Sequence, residues 1–251
     1  MLGILSLVGL PEFRPGDDLP AMLAAHIAAH GPPMLVGDVL VVAQKIVSKA
    51  EGRQIDLSSI APSAEARALA FEVGKDAALV ELVLRESIEV VRKAPNVLIT
   101  RHRLGHVMAN AGIDASNIGS GGEGRVLLLP EDPDASAERI AEALEARFGI
   151  RPGVVVSDSF GRPWRMGTVN VAIGIAGTPA LIDRRGEQDR DGRVMQMTLI
   201  AFADAVAAAA GLAMGEGAEG VPAAVVRGLG WACAAQTADA LLRPIGEDLF
   251  R

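Results

Sequence analysis

Asp38 to Val47 (DVLVVAQKIV) is dense in β-branched and aliphatic residues, a pattern that predicts the strongest strand of the chain. It runs straight into SKAEGR, which puts Ser48, Lys49 and Glu51 at a strand end. Ile4 to Val8 predicts an earlier strand, closed by turn residues around Pro11, Pro15 and Gly16. Asp17 and Asp18 then open a helix to Ala29, with acids where the helix dipole favours them. Ala64 to Glu86 carries helical periodicity broken near Gly74, and Glu89 to Arg92 and Val97 to Thr100 predict strands around an Ala94-Pro95-Asn96 turn. SGGEGR (Ser120 to Arg125) predicts a loop, Val126 to Leu129 a short strand ended by Pro130, and Ser136 to Phe148 a helix. Gly153 to Val156 predicts a strand that delivers Ser157 and Asp158 at its C-terminal end. Val169 to Ala176 alternates as a strand, Arg184 to Arg193 reads as a charged hairpin or loop, and Met197 to Gly211 as a helix. Ala223 to Val226 and Thr237 to Leu242 predict a last strand and a terminal helix. Strands and helices mix without strict βαβ alternation, which points to an α+β fold rather than a doubly wound sheet.

Composition narrows the picture. The 251 residues suit one large domain or two small ones. Half of the residues are hydrophobic, yet there are only six Phe, two Trp and no Tyr, so the core must be built from Ala, Val, Leu and Ile. The net charge of −7 argues against nucleic acid and against anionic membranes as partners. A single cysteine, Cys233, allows no intrachain disulfide and fits a reducing cytoplasm. The apolar start MLGILSLVGLP lacks the basic residues of a signal peptide and is too short to span a bilayer. AFADAVAAAAGLAM (Ala201 to Met214) is also too short, is interrupted by Asp204, and reads as a core helix packed through small side chains.

The chemistry concentrates in three Gly-, Ser- and Asn-studded segments: ANAGIDASN, VSDSFGRPWRMGTVN and MGEGAEG. They carry Asp114, Asp158 and Glu216, with Glu219 as a fourth acid; these are hard oxygen donors of the kind that hold Mg²⁺ or Mn²⁺ beside phosphate. Ser116, Asn117, Ser159 and Arg162 flank them and can complete a polyanion site. Each acid also has an ordinary explanation, an Asx-turn or helix cap for Asp114 and Asp158 and a solvated loop for Glu216. It is their joint occurrence that favours a site. Lys45 and Lys49 have an even spacing, which puts both on one face if the strand continues that far; taken alone they are better explained as a solvated basic turn, as are Arg162 and Arg165. No G-x-x-x-x-G-K-[ST], no G-x-G-x-x-G in a strand-to-helix setting, no zinc spacing and no G-x-S-x-G occurs. His26, His30, His102 and His106 are scattered and read as surface or structural.

Taken together, these residues resemble the coenzyme F420-0:L-glutamate ligase family, also called F420-0 gamma-glutamyl ligases. The resemblance runs through GLPEFRPGDDL, GDVLVVAQKIVSKAEGR, ITRHRLGHVMANAGIDASN, VSDSFGRPWRMGTVNVAIGIAG and MGEGAEGVPAAVVRG, nearly the whole chain in order. It implies the mixed-sheet ligase fold of that family, neither P-loop nor Rossmann, as one domain over residues 1–251 or as two intertwined subdomains. Some members carry a further nitroreductase-like domain, and the chain is expected to represent the form without it. The resemblance implies addition of L-glutamate to a deazaflavin coenzyme precursor, with GTP and a divalent metal. Leu10, Pro11, Glu12 and Phe13 then look like a nucleotide-binding turn, and Gln44, Lys45, Lys49 and Asn117 like further nucleotide contacts. The loop Met214, Gly215, Glu216, Gly217, Ala218, Glu219, Gly220 and Val221 looks like part of the GTP site. Asp114 and Asp158 look like ligands of one Mg²⁺ or Mn²⁺, Ser159 and Glu216 like ligands of a second, with K⁺ a further candidate ion. Lys49 and Asp158 look like the catalytic pair, and a cytoplasmic homodimer is implied. Three positions depart from the family pattern: Ser159 stands where threonine is common, His106 where an apolar or aromatic residue is expected, and Arg184 where an aromatic is frequent.

The site chemistry is consistent with that resemblance. A carboxylate and an amine condense in water only after activation, and phosphorylation by a nucleoside triphosphate gives an acyl phosphate that an amine displaces. Such a site needs metals for the triphosphate and cations for the transferred phosphoryl group. Two other classes fit the same acids: a metal-dependent phosphohydrolase that activates water, and a nucleotide sensor without turnover.

Overall fold

The structure, a computed structural model, describes residues 1–119 and 122–248. The first two residues of the loop expected at 120–125 therefore lie outside the described residues. The chain begins with β1 (Gly3–Ser6), α1 (Leu19–His30) and β2 (Val39–Ala43), which passes without a loop into α2 (Gln44–Ala50). Next come β3 (Gln54–Asp56), α3 (Ala64–Val73), α4 (Ala77–Arg85), β4 (Ser87–Ala94), β5 (Val97–His102), β6 (Val107–Ala109) and β7 (Arg125–Leu127). Then follow α5 (Pro133–Phe148), β8 (Gly153–Arg162), β9 (Arg165–Ala176), β10 (Leu181–Asp183), β11 (Leu199–Ala201), α6 (Phe202–Met214) and β12 (Ala223–Arg227).

Val39-Leu40-Val41-Val42 in β2 is buried on both faces, as its unbroken apolar run requires. The strand lies at the centre of a five-stranded mixed sheet of order β1-β12-β2-β8-β9. Within it only β2 and β8 run parallel. Leu40, Val42, Val154 and Val156 pack on one face against α1 and α5. Val39, Val41 and Val155 pack on the other against Ala203, Val206, Ala207 and Ala210 of α6, where small side chains allow close approach. Residues of α3, α4, β5 and β7 bury a further core around Val73, Val83, Leu98 and Val126. Met108 and Leu129 join that part of the chain to the core under the main sheet. The architecture is α+β with a mixed sheet.

Local chemistry sets the helix ends. Asp18, Ser63, Asp76 and Asp132 each accept a hydrogen bond from a first-turn backbone N–H, and Gly74 ends α3 in the left-handed conformation, the break expected there. Several boundaries differ from the sequence pattern. The strand expected to reach Val47 stops at Ala43, where β2 loses its partner β12 at Ala223; Gln44 to Ala50 then close a helix despite the β-branched Ile46 and Val47, whose burial in the core outweighs their propensity. β8 extends six residues past Val156, since Ser157 to Arg162 pair with β9 in a hairpin arm. Asp158 is therefore inside a strand, one residue past the end of its pairing with β2 rather than at the end of the strand itself. The helix expected from Met197 starts at Phe202, after β11 has paired with β10, and ends at Met214. Thr237 to Leu242 forms only a short 3₁₀ turn at Ala238–Leu241. The short strands β3 and β6 have no alternating pattern long enough to see in sequence. Among the described residues, no helix is long and apolar enough to cross a membrane.

Candidate active site

β2 and β8 run side by side and part after the pair Ala43–Ser157. Beyond it β2 becomes α2, while β8 continues against β9 alone. The carboxyl ends of parallel strands, where neighbouring chains diverge, leave a crevice for ligands. A cavity of about 520 Å³ opens there. It is lined by Leu10 to Phe13, by Gln44, Lys45 and Lys49, by Asn117, by Asp158 and Ser159, and by the loop from Met214 to Val221.

α2 supplies the cations. Lys45 and Lys49 are four residues apart on a helix, not two pairs apart on a strand, and helical spacing brings both to the cavity side. Gln44 is buried and accepts from Ser48 Oγ at 2.9 Å, which fixes the first turn. Burial pulls the Lys49 ammonium below its usual range, with Lys45 adding to the effect and Glu12 opposing it. Glu12 also closes against Gly119: a Cβ there would lie 2.3 Å from Glu12 Oε1, and the φ of +100° favours glycine.

A strained turn supplies Asp114. Asn110, Ala111 and Gly112 have φ of 50°, 52° and 70°, three left-handed residues in succession. Backbone exchange between Asp114 and Leu127 (3.1 and 2.8 Å) anchors the chain to β7 directly after this turn. Asp114 Oδ1 accepts from Ser116 N at 2.8 Å, an Asx-turn, while Oδ2 meets Lys45 Nζ at 2.7 Å. The Asx-turn expected for this acid is present, and the same carboxylate also pairs with a lysine of α2. Burial opposes ionisation of Asp114, but Lys45 and Ser116 outweigh it and hold its carboxyl below the usual range. Asp114 does not line the cavity; Lys45 stands between them.

β8 and the glycine-rich loop supply the remaining acids. Burial pushes the Asp158 carboxyl up to about 7, with the nearby Asp114 and Glu216 charges adding to it and Ser159 N and Lys45 opposing. Glu216 Oε2 accepts from Ser159 Oγ at 2.7 Å and Oε1 from Asn170 Nδ2 at 2.6 Å. Asn117 Nδ2 donates to Gly217 O at 3.2 Å and ties the Asp114 loop to this one. Glu219 is turned back on its own loop, accepting from Gly217 N at 2.7 Å and filling the space over Gly215, so it braces the loop instead of joining the other acids. Arg162 and Arg165 flank the tip of the β8–β9 hairpin and do not line the cavity. Asn170, which does line it, gives no signal in sequence beyond ending one of the three segments; only the hairpin register that sets it opposite Ser159 reveals it.

The sequence profile of the F420-0:Gamma-glutamyl ligase family matches residues 8–228, a span that holds every cavity residue named above. The chain belongs to this family. Among its curated relatives, the coenzyme F420:L-glutamate ligase of Methanothermobacter thermautotrophicus is 42% identical over all of this chain and 99% of its own length. The ligase of that name from Methanopyrus kandleri is 44% identical, over 96% of this chain and 94% of its own. That from Natronomonas pharaonis is 47% identical, over 89% and 85%. The two departures outside the cavity have structural accounts. His106 is buried, and burial beside His102 pushes it down to about 4, so it fills an apolar position as a neutral ring with a hydrogen bond to the Ile173 backbone. Arg184 pairs with Glu187 at 2.8 Å on the exposed hairpin between β10 and β11.

Divalent cations fit this donor set. Asp114, Asp158 and Glu216 are all hard oxygen donors; burial is what chiefly raises Asp158, the Asp114 and Glu216 charges add to it, and a cation would offset both. Among the described residues no three of them converge closely enough to hold an ion as they stand. Lys45 provides the positive charge at Asp114.

Proposed function

We infer that this chain is a ligase that forms an amide bond between L-glutamate and coenzyme F420-0, with GTP as the source of activation. The observation that carries the reading is that one cavity is lined by the Leu10–Phe13 turn, both lysines of α2, Asn117 and the whole Met214–Val221 loop. Those are the positions that the family resemblance assigns to the nucleotide. A cavity of this size suits a small anionic ligand in a largely preformed site.

In this reading Lys45 and Lys49 offset triphosphate charge, Lys49 nearest the group being transferred. The glycines at 217 and 220 let the backbone come close to phosphate oxygens. Asp114 and Asp158 would hold one divalent cation, and Ser159 and Glu216 a second. Such ions supply charge neutralisation of the triphosphate when bound. The terminal phosphoryl group passes to an acceptor carboxylate oxygen, giving an acyl phosphate and GDP. The glutamate amine attacks the acyl carbon, and phosphate leaves with that oxygen. Further gamma-linked glutamates would follow by the same steps. A homodimer in the cytoplasm belongs to the same reading; exposed Met166, Met197, Leu199 and Ile200 support the association.

Phosphate release from GTP tests the function. It should require F420-0 and glutamate together. Release without glutamate would mean a hydrolase, and binding without release a sensor.

A further inference from the structure

Glu216 sits between Gly215 and Gly217, in a loop with little of its own to fix a side chain's direction. What fixes it is a pair of residues outside the loop. Ser159 on β8 and Asn170 on β9 face each other in the hairpin register. Ser159 Oγ donates to one Glu216 oxygen at 2.7 Å, and Asn170 Nδ2 donates to the other at 2.6 Å. Both oxygens of one carboxylate are therefore gripped from a rigid strand pair. The Asn170 amide must present its NH₂ there, because a carboxylate accepts and does not donate.

A third residue makes room for this grip. Gly211 lies near the end of α6, where glycine is poorer than alanine for the helix. A Cβ on Gly211 would fall 2.4 Å from Asn170 Nδ2 and 2.9 Å from its Cγ. The space a side chain would take on α6 is the space the Asn170 amide occupies.

We propose that Asn170 is the positioning residue for Glu216: paired with Ser159 it aims the carboxylate at the cavity, and Gly211 is a glycine so that the Asn170 amide fits. The functional meaning rests on the ligase reading of Glu216. The grip itself needs neither nucleotide, metal nor turnover, so it is tested on the protein alone.

The measurement is amide hydrogen exchange of residues 214–222 in the wild type, Asn170→Asp, Glu216→Gln, the double variant, and Gly211→Ala. Asn170→Asp sets a carboxylate against Glu216 and should speed exchange there about tenfold. The double variant restores one donor and one acceptor, with the amide now on residue 216, and should return exchange near the wild-type rate. Gly211→Ala should also speed exchange in 214–222 while α6 itself becomes no less protected, because the methyl group displaces the amide. Unchanged exchange in Asn170→Asp, or a double variant as fast as Asn170→Asp, would overturn the proposal. If the coupling appears while the wild type adds no glutamate to F420-0, the positioning stands and the ligase reading falls.

Discussion

Lys45 Nζ lies 2.7 Å from Asp114 Oδ2 and 2.8 Å from Ser116 Oγ, so the first turn of α2 is joined to the strained Asp114 loop through one ammonium. With the two side chains 24% and 39% exposed, such a pair adds about 1 kcal/mol or less to stability. Its value is the position it gives to the charge. Lys45→Met should lower the melting temperature by only a few degrees but reduce kcat/KM roughly 100-fold. A stability loss large enough to explain the activity loss would assign Lys45 to the fold instead.

Asp158 should show the opposite separation. Its folded carboxyl is raised to about 7 from an ordinary 3.8, so protonation favours the fold, and that stabilisation is lost as pH rises from about 4 through 7. Asp158→Asn removes the cost of the buried charge. The variant should be more stable than the wild type above pH 7, by up to about 4 kcal/mol before solvent screening, and equal to it near pH 4. Activity should fall roughly 100-fold or more. Denaturant melts at several pH values check the first expectation, and near-normal turnover of the folded variant would contradict the second.

Glu86 holds acid stability far from the cavity. Burial works against its charge, but His102, Arg53 and Arg103 outweigh it and bring the carboxyl down to about 2 from an ordinary 4.5. Its contribution is present above about pH 4.5 and lost as pH falls toward 2. Glu86→Gln should cost up to about 3 kcal/mol at pH 7 before solvent screening, shrinking through pH 4 and vanishing near pH 2. A pH-independent difference between the two proteins would assign the effect to packing.

Long periodic segments were legible in sequence: α1, the broken helix at Gly74 and α5 follow from spacing, although α5 starts at Pro133 under the Asp132 cap and not at Ser136 as the pattern suggests. The three chemical segments were legible only as a group, since each acid alone has an ordinary use; the structure brings Asp158, Ser159 and the Met214–Val221 loop to one cavity and leaves Asp114 behind Lys45. What sequence could not give was the partner of each residue. Gln44 to Val47 reads as strand because Ile46 and Val47 are apolar, yet they are buried as helix residues under α1. Asp158 could not be placed mid-strand because Ser157, Ser159 and Gly161 around it read as a loop, although they pair with β9 across a tight hairpin. Asn170 and Gly211 carry no signal of their own, because each acquires meaning only from the other and from Glu216.

Mass spectrometry of one reaction tests the central claim most directly. F420-0 labelled with oxygen-18 in its carboxylate is incubated with the protein, GTP, Mn²⁺ and glutamate. The account predicts glutamyl-extended coenzyme, GDP, and one labelled oxygen in the released phosphate. Unextended coenzyme with phosphate released all the same would contradict the ligase assignment, and GMP carrying the label would contradict activation by phosphoryl transfer.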